Sequence, residues 1–238
     1  MAASQPTANN TENMAPTPAS SDQAVVCVFC GASPGTSPAH MDAARALANT
    51  FHKNNIKLVY GGGTVGIMGE LAKTLVSLSG PQAVHGIIPS ALLRYERKPD
   101  STTNGDAATN MPDESVYGRT TVVPDMHTRK QTMASEVISG GTGSGFVALS
   151  GGYGTLEELM EVVTWNQLGI HARPVVVFNV EGYWDGLLQW VKKAVESGFI
   201  GEGNKGIMVE AKEAGQVIER LGDYETAEGR FKLQWGEK

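Results

Sequence analysis

The stretch Gly145-Phe-Val-Ala-Leu-Ser-Gly-Gly-Tyr-Gly-Thr-Leu-Glu-Glu158 narrows the folds open to this chain more than any other. Its apolar run, Phe146 to Leu149, is bounded by glycine and reads as a short strand covered on both faces. The turn that follows lacks Cβ atoms at Gly151, Gly152 and Gly154, where strand passes into helix. Backbone N–H groups there can approach an anion at the positive end of the helix dipole. In the helix, Leu156, Leu159, Met160 and Val163 recur at i, i+3, i+4 and i+7, which predicts a buried stripe with Glu158 off it and near the first turn. That reading puts a carboxylate beside an anion site. Thr155-Leu-Glu-Glu158 also fits a capping box, in which Thr155 and Glu158 satisfy each other's backbone donors. The segment by itself admits both roles for Glu158.

The same strand, small-residue turn and helix recur earlier. Val25–Cys30 has a strand pattern and enters Gly31-Ala-Ser-Pro-Gly35, whose small residues leave room for a ligand above the strand end. Ser37 then reads as an N-cap with Pro38 at the first helical position, and Met41, Ala44, Ala48 and Phe51 give the helix a buried face. Ile56–Tyr60 enters Gly61-Gly-Gly-Thr-Val-Gly-Ile-Met-Gly69 before a helix carrying Met68, Leu71, Leu75 and Leu78 on one side. Gly61-x-Gly63-x-x-Gly66 matches the dinucleotide fingerprint in the right context. The acid expected about twenty residues later for a ribose hydroxyl is absent, since that neighbourhood reads Ser79-Gly-Pro-Gln-Ala-Val-His-Gly86. Phosphate binding by Gly62, Gly63 and Gly66 is therefore expected, and a nicotinamide or flavin cofactor is not. A tight turn without a ligand is the alternative.

Further along, Ala83–Pro89 is a strand pattern in which His85 reads as a strand residue, and Tyr95–Gly118 is a long polar loop. Thr120–Pro124 is another strand. In the helix pattern from Asp125 to Val137, Met126, Met133 and Val137 face inward, and Arg129 and Lys130 share that stripe. Burying two unpaired cations would cost several kcal/mol, so an anion must meet them. Protein carboxylates such as Glu158, or a phosphate, would serve; both heads could instead snorkel to water. Ser139–Gly145 precedes a strand and reads as a flexible connection. Pro174–Val180 is an apolar strand, Tyr183–Val195 an amphipathic helix, Gly206–Val209 an edge strand and Ala211–Leu221 a last helix. Residues 1–22 and 223–238 are polar tails around a single domain. Alternating strands and helices specify an α/β, Rossmann-like doubly wound, mostly parallel sheet with helices on both faces, whose ligands bind above the strand carboxyl ends.

A net charge of −6 argues against nucleic acid or an anionic membrane as partner, because both need a basic surface. No apolar run approaches the ~20 residues that span a bilayer. The first Lys or Arg is Arg45, which fits neither a secretory signal nor a transit peptide, so a cytoplasmic location is expected. Cys27 and Cys30, the pair in Cys-Val-Phe-Cys, lie three apart on a strand and point to opposite faces. With no second Cys or His pair at metal spacing, they read as buried thiols, and no metal is expected.

Several motifs in this order resemble the Lonely Guy (LOG) family: Gly151-Gly-Tyr-Gly-Thr-Leu-Glu-Glu158 with Met126-x-x-Arg-Lys130-x-x-Met133 upstream, Tyr60-Gly-Gly-Gly-x-x-Gly-Ile-Met-Gly69, Thr164-Trp-Asn-Gln-Leu-Gly-Ile-His171 and Asn179-Val-Glu-Gly-Tyr183. The resemblance runs from Val25 to Leu221. Members are cytokinin riboside 5′-monophosphate phosphoribohydrolases, often labelled lysine decarboxylases. The resemblance implies a Rossmann-like fold without a cofactor, release of free base and ribose 5-phosphate, and dimers or larger assemblies with the active site near a subunit interface. It implies Arg129 and Glu158 as the catalytic pair, and Gly152, Gly154 and Thr155, beside Gly151, as holders of the 5′-phosphate. Lys130 would be a supporting charge, Met126 a substrate neighbour, and Gly31 to Ser33 would lie beside the base. One position departs: the family usually has proline where this chain has Ser150, so the fixed φ of the ring is lost while the N–H cradle survives. A less selective nucleotide nucleosidase and a non-catalytic nucleotide or cofactor carrier are the competing readings. The presence of both Arg129 and Glu158 favours an enzyme.

Overall fold

Short runs of Val, Ile, Phe and Cys form β1 (Val25–Phe29), β2 (Lys57–Tyr60), β3 (Val84–Pro89), β4 (Arg119–Val123), β5 (Gly145–Ala148), β6 (Val175–Phe178) and β7 (Met208–Ala211). The computed structural model describes residues 23–93, 111–233 and 235. All strands are parallel in one seven-stranded sheet, ordered β4-β3-β2-β1-β5-β6-β7. Helices cross between them: α1 (Ala39–Lys53), α2 (Gly66–Ser79), the single turns α3 (Ser90–Leu93) and α4 (Glu114–Tyr117), then α5 (Met126–Ser139), α6 (Tyr153–Gln167), α7 (Asp185–Glu196) and α8 (Ala214–Gly222).

Strand alternation builds two cores. Val26, Val28 and Cys30 face Leu47, Phe51, Leu71, Leu75 and Val217 of α1, α2 and α8. Val25, Cys27 and Phe29 face Met133, Val137, Leu159 and Val162 of α5 and α6, with Leu187, Leu188 and Val191 of α7 packed against them. The two thiols therefore sit in different cores, as their spacing requires, and are free. Burial pushes both above the ordinary thiol range. Each fully buried aliphatic side chain contributes about 1.5–3 kcal/mol, and the central strands are buried along their whole length.

Expected boundaries hold to within a few residues, with two differences. Ser37 does not cap α1: the cap position is Pro38, and the Ser37 hydroxyl accepts from Ala39 N. The long polar loop falls largely outside the described residues, as do residues 1–22. The segment after α8, expected to be loose, is strapped across the end of α6. Phe231 N donates to Gln167 O at 2.8 Å, Trp235 Nε1 to Leu168 O at 3.0 Å and Arg230 Nε to Asn166 O at 2.7 Å. Gly169 permits this contact: its φ is +81°, and a Cβ there would lie 2.3 Å from Phe231 O. No helix among the described residues is long and apolar enough to cross a membrane.

Candidate active site

β1 and β5 are neighbours although β2, β3 and β4 intervene in sequence, so the sheet changes its direction of growth between them. At such a switch point the loops leaving the two strands part to opposite faces and open a crevice. Here the crevice is stitched together. Gly31 N donates to Ser150 O at 2.9 Å, joining the loops after β1 and β5, and Met68 N donates to Gly31 O at 3.2 Å, joining α2 to the same point. Gly31 and Ala32, Gly61 and Met68, Met126 and Arg129, and the start of α6 line a cavity of about 280 Å³.

α6 begins at Tyr153 with Gly152 as its N-cap and no side-chain cap. Thr155 is thus inside the first turn, and the capping box is not formed. The first-turn N–H groups have no acceptor within the helix and border the cavity through Gly152, Gly154 and Thr155. The buried stripe of α6 is Thr155, Glu158, Leu159, Val162 and Asn166, while Leu156 is exposed. The helix is therefore rotated from the apolar face predicted for it, and Glu158 lies on the buried side. It does so because the first turns of α6 rise past the sheet edge, where the cavity and not the apolar core is what they face.

Arg129 reaches the same place from α5, which starts behind the Asp125 cap (Thr128 N to Asp125 Oδ1, 2.8 Å). Its guanidinium is buried: Nε donates to Ile87 O at 3.1 Å and Nη1 stands 3.4 Å from Glu158 Oε1. Room for it exists only because residue 61 is glycine, since a Cβ there would sit 1.8 Å from Arg129 Nη2. Glu158 Oε1 is buried without a hydrogen-bond partner. Desolvation pushes the Glu158 carboxyl above the ordinary glutamate range, opposed by Arg129. A buried acceptor left open beside a fixed cation is arranged to meet something that enters the cavity.

The predicted residues divide by place. Arg129, Glu158, Met126, Gly31, Gly152, Gly154 and Thr155 come together around the one cavity. Gly151 and Ser33 line an adjoining one of about 380 Å³, which shares Gly31, Ala32 and Gly152 with the first. Gly62, Gly63 and Gly66 line neither. Gly62, with φ +75°, packs on Ile88, and Gly66, with φ +60°, lies where a Cβ would meet the Ala32 carbonyl carbon at 2.3 Å. Gly62 and Gly66 are thus held in a turn packed against neighbouring residues. Lys130 does not line the cavity: its Nζ pairs with Glu157 Oε1 at 2.5 Å, on the cavity wall, and with Glu161 Oε1 at 3.2 Å further along α6. Consecutive helical residues point about 100° apart, and Arg129 and Lys130 accordingly meet different partners. Gly61 and Met68 also line the cavity, although the sequence marks Gly61 only as the first glycine of the fingerprint and Met68 only as part of the buried side of α2. In the adjoining cavity, His40 is brought in by α1 and had no signal, whereas Tyr183, from the turn before α7, closes the motif Asn179-Val-Glu-Gly-Tyr183.

A family model described as "Possible lysine decarboxylase" matches residues 68–221. The cytokinin riboside 5′-monophosphate phosphoribohydrolase LOG1 of Arabidopsis thaliana is 42% identical over 199 residues, covering 84% of this chain and 83% of that protein. The chain belongs to the LOG family. LOG3 of the same plant is 42% identical over 212 residues, covering 88% of each. A "Bifunctional cytokinin biosynthesis protein" of Fusarium pseudograminearum is 54% identical over 211 residues; they are 89% of this chain but 42% of that relative, so the chain spans less than half of its length. Among solved structures, a Chlamydomonas molybdenum cofactor carrier protein superposes with a TM-score of 0.54 at 16% identity, covering 83% of this chain and 94% of that one. The molybdenum cofactor binding protein of Rippkaea orientalis gives 0.52 at 20%, with the same coverage. At such identity these two share the fold alone. Ser150, at the start of the glycine turn, is buried.

Proposed function

We propose that the chain hydrolyses the N-glycosidic bond of cytokinin riboside 5′-monophosphates, releasing the free base and ribose 5-phosphate. The observation that carries this is the buried, hydrogen-bond-deficient Glu158 carboxylate 3.4 Å from Arg129, one turn from the uncapped N-terminus of α6. The first-turn N–H groups at Gly152, Gly154 and Thr155 take the phosphate, where the helix dipole favours an anion. Water adds to C1′ of the ribose as the C1′–nitrogen bond breaks, and one proton of that water ends on the departing base. Positive charge develops on the ribose ring, and Glu158 stabilises it and orients the water. Arg129 keeps Glu158 ionised and positions the nucleotide. Lys130 neutralises Glu157 at the cavity rim, where an unpaired carboxylate would repel phosphate. Tyr153 and Leu156 stand exposed beside the site, which supports its placement near the contact of a homodimer; sedimentation or light scattering reads that state.

The test is a substrate panel. Isopentenyladenosine 5′-monophosphate should be split faster than AMP, and the unphosphorylated riboside should be ignored. Equal turnover of riboside and nucleotide would defeat the phosphate anchor, and equal turnover of all nucleotides would make the enzyme a general nucleotide nucleosidase.

A further inference from the structure

Ser150 occupies the point where β5 gives way to the glycine turn. Its side chain is buried, and its Oγ lies 2.9 Å from Nδ1 of His40, a residue of α1. The His40 ring is itself held. A Cβ on Gly35 would stand 2.9 Å from His40 Cδ2, and the ring meets Tyr183 edge to face with centroids 5.9 Å apart at 80°. Tyr183 OH donates in turn to Gly151 O. Ser150 O accepts from Gly31 N. Side chains from α1 and from the turn before α7 therefore grip consecutive residues of the turn that leads into α6. Gly152, the next residue, has open space where a Cβ would be, so its position depends on what holds Ser150 and Gly151.

We propose that His40 is a positioning residue for phosphate binding: through its hydrogen bond to Ser150 it fixes the Gly151–Gly152 turn against the N-terminus of α6, and Tyr183 fixes the same turn one residue later. A proline at position 150 would stiffen this turn covalently, by locking φ. Serine leaves φ free, and the bond to His40 supplies the constraint from outside the turn. The proposal rests on the phosphate placement given under the proposed function. A cradle that grips phosphate alike in the bound substrate and the transition state acts on KM and leaves kcat nearly unchanged.

The experiment uses the full chain and two readouts: steady-state hydrolysis of isopentenyladenosine 5′-monophosphate, and calorimetric affinity for ribose 5-phosphate. His40→Ala and Ser150→Ala should each raise KM and weaken ribose 5-phosphate binding by ~3–10-fold, the worth of one net hydrogen bond. The double variant should be no worse than either single one, because both remove the same contact. His40→Asn, which keeps a polar atom near the Nδ1 position, and Ser150→Pro placed in the His40→Ala background should restore affinity. Unchanged KM and affinity in both alanine variants would overturn the proposal, as would effects that multiply in the double variant or a loss confined to kcat. Melting curves identify any variant that fails to fold, and Ser150→Ala, which removes only a hydroxyl, then carries the comparison. If the wild-type chain binds ribose 5-phosphate but splits no nucleotide, the hydrolase reading falls while the affinity series still decides this one.

Discussion

Arg129 Nη1 and Glu158 Oε1 face each other at 3.4 Å, each on a side chain about a tenth exposed, and at that distance they form an ion pair without a hydrogen bond. A structural salt bridge buried this deeply would be expected to close to 2.7–2.9 Å, because the cost of desolvating both charges is offset only by close contact. The gap leaves the buried carboxylate oxygen without a hydrogen bond.

Glu158→Gln removes the charge while keeping the shape. Turnover should fall by ~100-fold or more, as when one key electrostatic group is lost, and Tm at neutral pH should fall as well, because Arg129 is left buried without its counter-ion. Melting and initial-rate measurements on one preparation check both. A lowered Tm with the rate intact would return Glu158 to a structural role.

Arg129→Met leaves Glu158 buried without its cation, which should cost ~3–5 kcal/mol. The sign with pH follows from the raised Glu158 carboxyl. The penalty is complete above its folded pKa and fades as pH falls through it, so the variant should recover stability on acidification relative to wild type. In the wild type, the same carboxyl sets an acid limb of the rate above the 4.5 of an ordinary glutamate, and in this variant any residual limb should move higher still. Rate and melting profiles between pH 4 and pH 7 read both effects.

Two glycines should respond oppositely to alanine. Gly154 lies in the first turn of α6 with nothing within 4 Å of a Cβ position. Gly154→Ala should therefore stabilise the fold by up to about 1 kcal/mol while weakening nucleotide binding by about tenfold or more, since the methyl displaces charge-assisted hydrogen bonds to phosphate. Gly66→Ala faces a left-handed φ and a backbone contact at 2.3 Å, so it should lose ~1–3 kcal/mol from conformation alone and lower Tm. Equal binding by Gly154→Ala and wild type would move the phosphate elsewhere.

His171, which lines neither cavity, should make stability depend on pH. Its Nε2 lies 2.8 Å from Val162 O and its Nδ1 accepts from Arg173 N at 3.1 Å, which fits the neutral ring. Burial lowers its pKa from 6.5 to about 4. A depressed base contributes stability that is complete above pH 6.5 and is lost as pH falls toward 4, because the unfolded chain takes up the proton first. At about 1.4 kcal/mol per unit this amounts to ~3 kcal/mol. Denaturant titrations across that window should show the loss in wild type and a reduced slope in His171→Gln.

The expected fold is the observed one because strand and helix periods, glycine turns and chain order are local properties. Val175 to Phe178, the α1 face at Ala44, Ala48 and Phe51, and Leu71 and Leu75 of α2 were readable for that reason, while Leu78, expected on the same face, is exposed. The α6 face was not. Leu156 and Met160 form as good an apolar stripe in sequence as Thr155, Glu158 and Leu159, and only the position of α6 at the rim of the sheet selects the second. The same limit governs Lys130, whose partners Glu157 and Glu161 lie on a different helix, and His40, which meets Ser150 across a sequence separation of 110 residues.

By itself the sequence determined a parallel α/β sheet, a glycine turn before α6, and an arginine and a glutamate on the helices flanking β5. Those follow from residue type and spacing, which act over a few residues. Tertiary structure decided which glycines meet a cavity and which meet backbone, which of two adjacent cations enters the site, and which distant side chains hold the turn after β5. Such choices depend on how layers pack at the switch point between β1 and β5, where residues far apart in the chain compete for the same space.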